Sequence, residues 1–290
     1  MYIHRTIQQI AFAQPMDMGG FPIRQPLPSR LISMLDPFLL LHHAILEVPK
    51  EIDPKHAGVG PHPHRGFSPV TFIYQGGVHH RDSRGNDNVV YAGGTQWMNA
   101  GMGVIHSERP PADIHEKGGI QELIQLWINS PANNKMDQPA YFPLTAEETP
   151  LVVSDDQKTS IQVISGELNG VKGPIRPLSP VNMFNVRISK GGSYFIPFSQ
   201  LHNAFIYVTE GLVQVGKAEE IEAFYMAVFN TDGDGIELNA LEDSVVLVGT
   251  GEPLKEPVAS HGPFVMNSET QIMEAFRDYQ LGKMGVLIEK

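Results

Sequence analysis

The chain has 290 residues, enough for two ordinary domains or one large one. A hydrophobic content of 41% fits a folded globular protein, and a formal charge of -11 argues against direct binding to nucleic acid, which needs a basic footprint. There is no cysteine, so disulfides, thiolate ligands and thiol nucleophiles are excluded, and any metal has to be held by nitrogen and oxygen. The segment Met1 to Arg5 does not open a secretory leader. No apolar run approaches the roughly 18 residues that span a bilayer. The expectation is a soluble cytoplasmic protein with no membrane or nucleic-acid partner.

Glycine and proline are frequent, and short apolar runs alternate with turn signals, which reads as an all-β chain. Ile7 to Phe12 forms a first strand, and Pro15 to Pro28 reads as a glycine- and proline-rich loop. A buried run follows Asp36-Pro37 and stops at His42-His43. The β-branched and aromatic run Val70 to Tyr74 is a strand ended by Gly76-Gly77. Val78 to Arg81 is short and strand-like, and Asp82 to Asn86 is a turn by composition. Val89 to Tyr91, Thr95 to Met98, Val104 to Glu108 and Ile120 to Asn129 continue the meander. The polar stretch from Pro131 to Pro150 reads as an inter-domain crossing, giving domains over 1–145 and 146–290. A second β-rich series then runs from Val152 to Gly249. Ser268-Glu269-Thr270-Gln271 has the form of a capping box. With Ile272, Ala275, Phe276 and Tyr279 at helical spacing and Gly282 as a stop, it predicts a helix.

Two segments carry chemistry. Pro61-His62-Pro63-His64-Arg65-Gly66-Phe67 and Gly103-Val104-Ile105-His106-Ser107-Glu108 each place two metal-competent side chains at i and i+2. On an extended strand, residues two apart share a face. If the two strands pair or face each other, three imidazoles and a carboxylate converge. A lone His-x-His is most often a pair of surface residues, but two such pairs, each beside glycine in a β-rich segment, point to a metal site. Three imidazoles and a carboxylate suit a borderline divalent metal, namely iron, nickel, copper, manganese, cobalt or zinc. On an octahedral ion they leave two positions for substrate or dioxygen. Pro63 has no N–H to give and belongs on a strand edge.

The remaining histidines read as less informative. His80, beside Arg81 and Asp82, is expected in a solvated turn, and His42, His43, His56 and His115 are expected in surface or loop positions, one of them able to line a pocket. His202 and His261 stand alone in the second half. Phe72, Trp97, Met98 and Met102 are candidate pocket walls or ordinary core.

The pattern as a whole resembles the pirin family of the cupin superfamily. The matching segments include Leu35-Asp36-Pro37-Phe38, His62 to Phe67, Arg81-Asp82-Ser83-Arg84-Gly85, Gln96 to Gly101, His106-Ser107-Glu108 and Gln125 to Asn129. Further on come His202 to Val208, Gly251 to Leu254, His261 to Asn267 and Arg277-Asp278-Tyr279. The resemblance implies two cupin barrels, of the double-stranded β-helix or jelly-roll kind, with few short helices and a metal only in the N-terminal barrel. It implies that the metal, iron(II) foremost, is held by His62, His64, His106 and Glu108. It also implies quercetin 2,3-dioxygenase activity, in which dioxygen opens a flavonol ring and carbon monoxide leaves. Glu108 is then the ligand able to act as general base. The alternative role for such a protein is metal- or redox-sensing regulation through a protein partner, a transcription factor or a metabolic enzyme. Ser68, His42 and Glu122 depart from the family pattern, with Ser68 and Glu122 expected to alter pocket polarity.

Overall fold

The computed structural model describes residues 2–51, 53, 56–216 and 219–289. Strands dominate, as the alternation of apolar runs and turns requires, and the chain divides into two compact β-barrel units. One comprises residues 1–15, 24–37 and 149–254, and the other comprises residues 16–23, 38–148 and 255–290. The sequence draws a single cut between residues 145 and 146. The observed units change over close to that point, at 148/149, but each also takes a terminal segment from the far end of the chain. The reason is strand pairing: Ile7–Phe12 lies antiparallel to Tyr225–Phe229, over two hundred residues away. Pairing at that sequence distance leaves no local signal.

In the unit containing 149–254, the larger sheet has the order Ile7–Phe12, Tyr225–Phe229, Asn203–Glu210, Ser244–Gly251, Val181–Ile188, Thr159–Ser165, Leu151–Val153. A four-stranded sheet of Ser193–Pro197, Gly235–Ala240, Leu212–Val215 and Glu219–Glu222 accompanies it. The alternating inward residues, among them Ile161, Phe184, Val186, Ile206, Val246 and Val248, merge into one apolar core. This barrel is filled by its own side chains.

In the unit containing 38–148, the strands Ala140–Leu144, Thr95–Asn99, Phe67–Gln75, Gly119–Asn129 and Phe38–Val48 lie side by side in that order. A second sheet has the order Val59–His64, Val104–Arg109, Gly77–Asp82, Asp87–Tyr91. Its edge strand is therefore the one carrying Pro61 and Pro63, where a missing N–H costs no ladder bond. The strand Phe38–Val48 continues five residues beyond His43, through the point where the sequence suggests a stop. The expected loop over 15–28 is instead largely strand, Gln14–Asp17 and Pro22–Leu27. The predicted helix is present as Glu269–Gln280, with the Ser268 side chain accepting from the Gln271 N–H. A second short helix, Ala112–Lys117, follows Pro110-Pro111 and was not signalled by periodicity. No helix among the described residues is long and apolar enough to cross a membrane.

The turn that ends the edge strand is held tightly. Gly66 has φ +87°, and a Cβ there would run into the Val265 carbonyl, so only glycine fits. Lys135 is buried, and its ammonium donates to the carbonyl oxygens of Gly66 (2.6 Å) and Val265 (3.2 Å) and to Asn129 Oδ1 (2.6 Å). Burial pushes the Lys135 amine down to about 8. Lys135→Met leaves those acceptors without their shared donor, and each such loss costs about 1–3 kcal/mol. The expected outcome is a fall of about 2–4 kcal/mol in unfolding free energy by urea titration. A change within experimental error would contradict this role.

Candidate metal centre

The site begins with strand register. Val59–His64 and Val104–Arg109 pair antiparallel with His106 opposite His62 and Val104 opposite His64. Alternation then brings His62, His64 and His106 to one face. Between His106 and Glu108 the register slips, so that Glu108 lies opposite Val59 and the extra residue falls in the Gly60-Pro61 stretch. One nitrogen from each of His62, His64 and His106 lies within 4.8 Å of the others. It is the one group of three or more such donors among the described residues.

The outer nitrogens say which way the lone pairs point. His62 Nδ1 contacts the Gly60 carbonyl oxygen at 2.8 Å, and His64 Nδ1 contacts the Pro263 carbonyl oxygen at 3.3 Å. A carbonyl only accepts, so both rings carry their proton on Nδ1. Their Nε2 lone pairs then face each other at 3.1 Å. His106 Nε2 is buried and has no hydrogen-bond partner among the described residues. Burial first, and then the neighbouring imidazoles, push His64 and His106 well below the ordinary histidine value, so both are neutral. Mutually facing lone pairs and an orphaned buried nitrogen fit a cation. With metal–nitrogen bonds of about 2.1 Å, two nitrogens at a right angle on one ion lie about 3 Å apart, close to the separation seen.

Glu108 stands outside the three-nitrogen group. Its Oε1 accepts from Thr71 Oγ1 (2.9 Å) and its Oε2 from Gln125 Nε2 (2.8 Å). Gln125 is itself oriented, because its Oε1 accepts from Trp127 Nε1–H at 3.0 Å. The carboxylate lines the same cavity as His62 and His64, a space of about 410 Å³. The cavity walls come from alternate residues of two paired strands: Leu40, His42, Ala44 and Leu46 on one, and Gln121, Leu123, Gln125 and Trp127 on the other. Met18 and Phe21 add to the lining.

Several readings from sequence need correction. His80 is buried rather than solvated, because the strand Gly77–Asp82 runs further than its composition suggests. Phe72, Trp97 and Met98 are buried core and, like Met102, lie outside the cavity lining. Ser68 is turned away to Asn99 (2.8 Å) and Glu122 to His43 (3.1 Å), so neither sets the polarity of the cavity. His42 does line it, and His43 is buried on the opposite face of the same strand. The i, i+2 rule that selects the ligand pairs also selects His80 and Asp82, and was the available signal.

A β-barrel with imidazoles gathered on one wall has the form of a cupin carrying a candidate metal site. Comparison with known proteins narrows the class. Residues 20–128 match the family model described as Pirin, and residues 183–285 match the Pirin C-terminal cupin domain. A pirin-like protein of Caulobacter vibrioides is 35% identical over 282 residues, covering 96% of this chain and 99% of that one. A Pseudomonas aeruginosa protein named provisionally as a quercetin 2,3-dioxygenase is 35% identical over 267 residues, with 91% and 92% covered. A crystal structure of quercetin 2,3-dioxygenase from Acinetobacter baumannii superposes with TM-score 0.91 at 36% identity, covering 99% of this chain and all of that one. The chain belongs to the pirin family.

The cavity makes an acid-side prediction. Burial pushes the His42 imidazole down to about 4, against about 6.5 when unfolded. A folded-state value below the unfolded one means that the stability is complete above about 6.5 and is lost as pH falls from there towards about 4. Unfolding midpoints of the metal-free protein are expected to fall across that window, with His42 contributing about 1–3 kcal/mol. His42→Gln should make the fall shallower, and an identical slope in the variant would refute the assignment.

Proposed function

We propose that this pirin-family protein is a metal-dependent dioxygenase of the quercetin 2,3-dioxygenase type, opening a flavonol ring with dioxygen and releasing carbon monoxide. The observation that carries the reading is the gathering of three imidazole nitrogens, two of whose rings, His62 and His64, line one largely apolar cavity together with the Glu108 carboxylate. The names of the relatives support the same reading. His62, His64 and His106 would hold the divalent metal, with Glu108 as the fourth ligand and iron(II) as the first candidate. Nickel, copper, manganese, cobalt or zinc are alternatives that the same donors accept. The metal would supply Lewis acidity toward a chelating 3-hydroxyl and 4-carbonyl pair and a means of engaging dioxygen.

The chain's own residues do the rest. Glu108 is the carboxylate within reach of a hydroxyl presented in the cavity, and takes its proton as general base. Thr71 and the Trp127–Gln125 pair hold both carboxylate oxygens, so Glu108 meets the substrate in one orientation. The apolar faces of Leu40, Leu46, Leu123 and Trp127 stack against a planar aromatic guest and keep water from it. The absence of cysteine and the acidic balance suit a cytoplasmic enzyme acting on a small neutral molecule.

With the metal loaded, quercetin should consume dioxygen and release carbon monoxide in equal amounts, measured by oxygen electrode and gas analysis. Glu108→Gln is expected to lower kcat by roughly 10²–10⁴-fold. His62→Ala should abolish turnover together with metal retention. No oxygen uptake by loaded protein with any flavonol would overturn the enzymatic reading. Metal-dependent capture of a protein partner by such an inert protein would favour regulation instead.

A further inference from the structure

Beyond the three gathered nitrogens lies a second line of polar groups with no role in the reaction as drawn. The strand Gly77–Asp82 pairs with Val104–Arg109 so that Asp82 lies opposite His106 and His80 opposite Glu108. Both side chains are 2% exposed. His80 Nδ1 lies 3.4 Å from His106 Nδ1, and His80 Nε2 lies 3.2 Å from Asp82 Oδ2. The His80 ring is clamped flat against Tyr141, with centroids 3.9 Å apart and planes 6° apart. Asp82 is fixed in turn. Its Oδ1 accepts the backbone N–H groups of Arg84 (2.9 Å) and Asn86 (3.0 Å), and its Oδ2 accepts Asn86 Nδ2 (2.7 Å). Burial raises the Asp82 carboxyl, but the hydrogen bonds from His80, Asn86 and Arg84 outweigh it and hold the group below the usual carboxylate range.

These contacts determine where each proton sits. An ionised Asp82 can only accept, so the His80 nitrogen facing it, Nε2, carries a proton. Where His106 turns its Nε2 lone pair to a cation among the gathered nitrogens, its own proton sits on Nδ1 and is donated to His80 Nδ1. That leaves His106 Nε2 with a lone pair directed away from His80, the buried atom that has no hydrogen-bond partner among the described residues. His62 and His64 reach the same tautomer by a shorter route, through backbone carbonyls. His106 lacks such a carbonyl contact among the bonds described and is served by a side-chain relay instead.

We propose that Asp82 and His80 are positioning residues that fix the tautomer and ring orientation of His106 and so set metal affinity. The proposal rests on the metal-binding reading above. Outer groups that orient a metal-bound histidine typically change affinity by roughly 10- to 100-fold when altered. Asp82→Asn is the informative change, because it keeps shape and reverses polarity. The two backbone N–H groups require an oxygen at the Oδ1 position, so the amide nitrogen takes the place of Oδ2 and donates to His80 Nε2. His80 must then carry its proton on Nδ1 and donate to His106, which is left protonated on Nε2. Asn86 can turn its own amide over to meet the new donor.

The test has two readouts that do not depend on turnover. Long-range proton–nitrogen NMR of histidine-labelled, metal-free protein reads the tautomer of each ring. Cobalt(II) affinity is measured by competition with a chelator. The expected result is His106 protonated on Nδ1 in the wild type and on Nε2 in Asp82→Asn, with cobalt(II) bound roughly 10- to 100-fold more weakly by the variant. A purely structural role for Asp82 would move unfolding stability without reversing the tautomer. His106 protonated on Nε2 in the wild type, or an Asp82→Asn protein with unchanged tautomer and affinity, would overturn the relay. The wild-type tautomer decides the matter even if the variant does not fold. Wild-type protein that takes up no cobalt(II) would remove the metal reading itself, and the proposal with it.

Discussion

The pairing of His106 with His62 across two antiparallel strands is the constraint on which the rest of the site depends. Once that register is set, three imidazoles share one face, and carbonyl oxygens at Gly60 and Pro263 take the outer protons of two of them. The inner lone pairs are then forced together at 3.1 Å in a place where burial disfavours protonation. Such an arrangement is unfavourable by itself and becomes favourable with a cation among the nitrogens. The strand-end turn at Gly66 and the buried Lys135 ammonium keep the histidine strand from relaxing away from it.

The two barrels show how one architecture serves different ends. In the unit built on 149–254 the inward positions are Ile, Val, Leu, Phe and Ala, and they fill the interior. In the unit built on 38–148, His42, Gln121, Gln125 and Glu108 share the wall with Leu40, Leu123 and Trp127, and a cavity of about 410 Å³ remains. The barrel by itself says little about chemistry; the side chains on its inner face decide it. The polar groups at the cavity are tied to one another, with Trp127 holding Gln125 and Gln125 holding Glu108. A carboxylate so restrained has a defined direction before any ligand arrives.

Much of this was legible in the residues, and the failures have physical causes. The i, i+2 spacing of His62 with His64 and of His106 with Glu108 follows from the pleat alone, and the structure brings the three histidines together. It ties the carboxylate instead to Thr71 and Gln125, partners from other strands that no local pattern reveals. Around His80 the composition of Arg81-Asp82-Ser83 suggests a turn, whereas the strand runs on to Asp82 and cross-strand pairing with Ser107 and His106 holds it extended. The cavity walls were missed for a related reason. The apolar runs that end at His42-His43 and that cover Ile120 to Asn129 are plain in the sequence, but which alternate residues face inward depends on what covers the other face. The exchange of chain ends between the units was invisible because it rests on pairings between remote segments.

The account stands or falls on three imidazoles sharing one ion. X-ray absorption at the metal edge, combined with elemental analysis of the purified protein, addresses that directly. The account predicts one divalent ion per chain, with scattering from three imidazole rings in its coordination shell. A protein that holds no ion after incubation with iron(II) or nickel(II), or an ion surrounded by oxygen without imidazole, would contradict it.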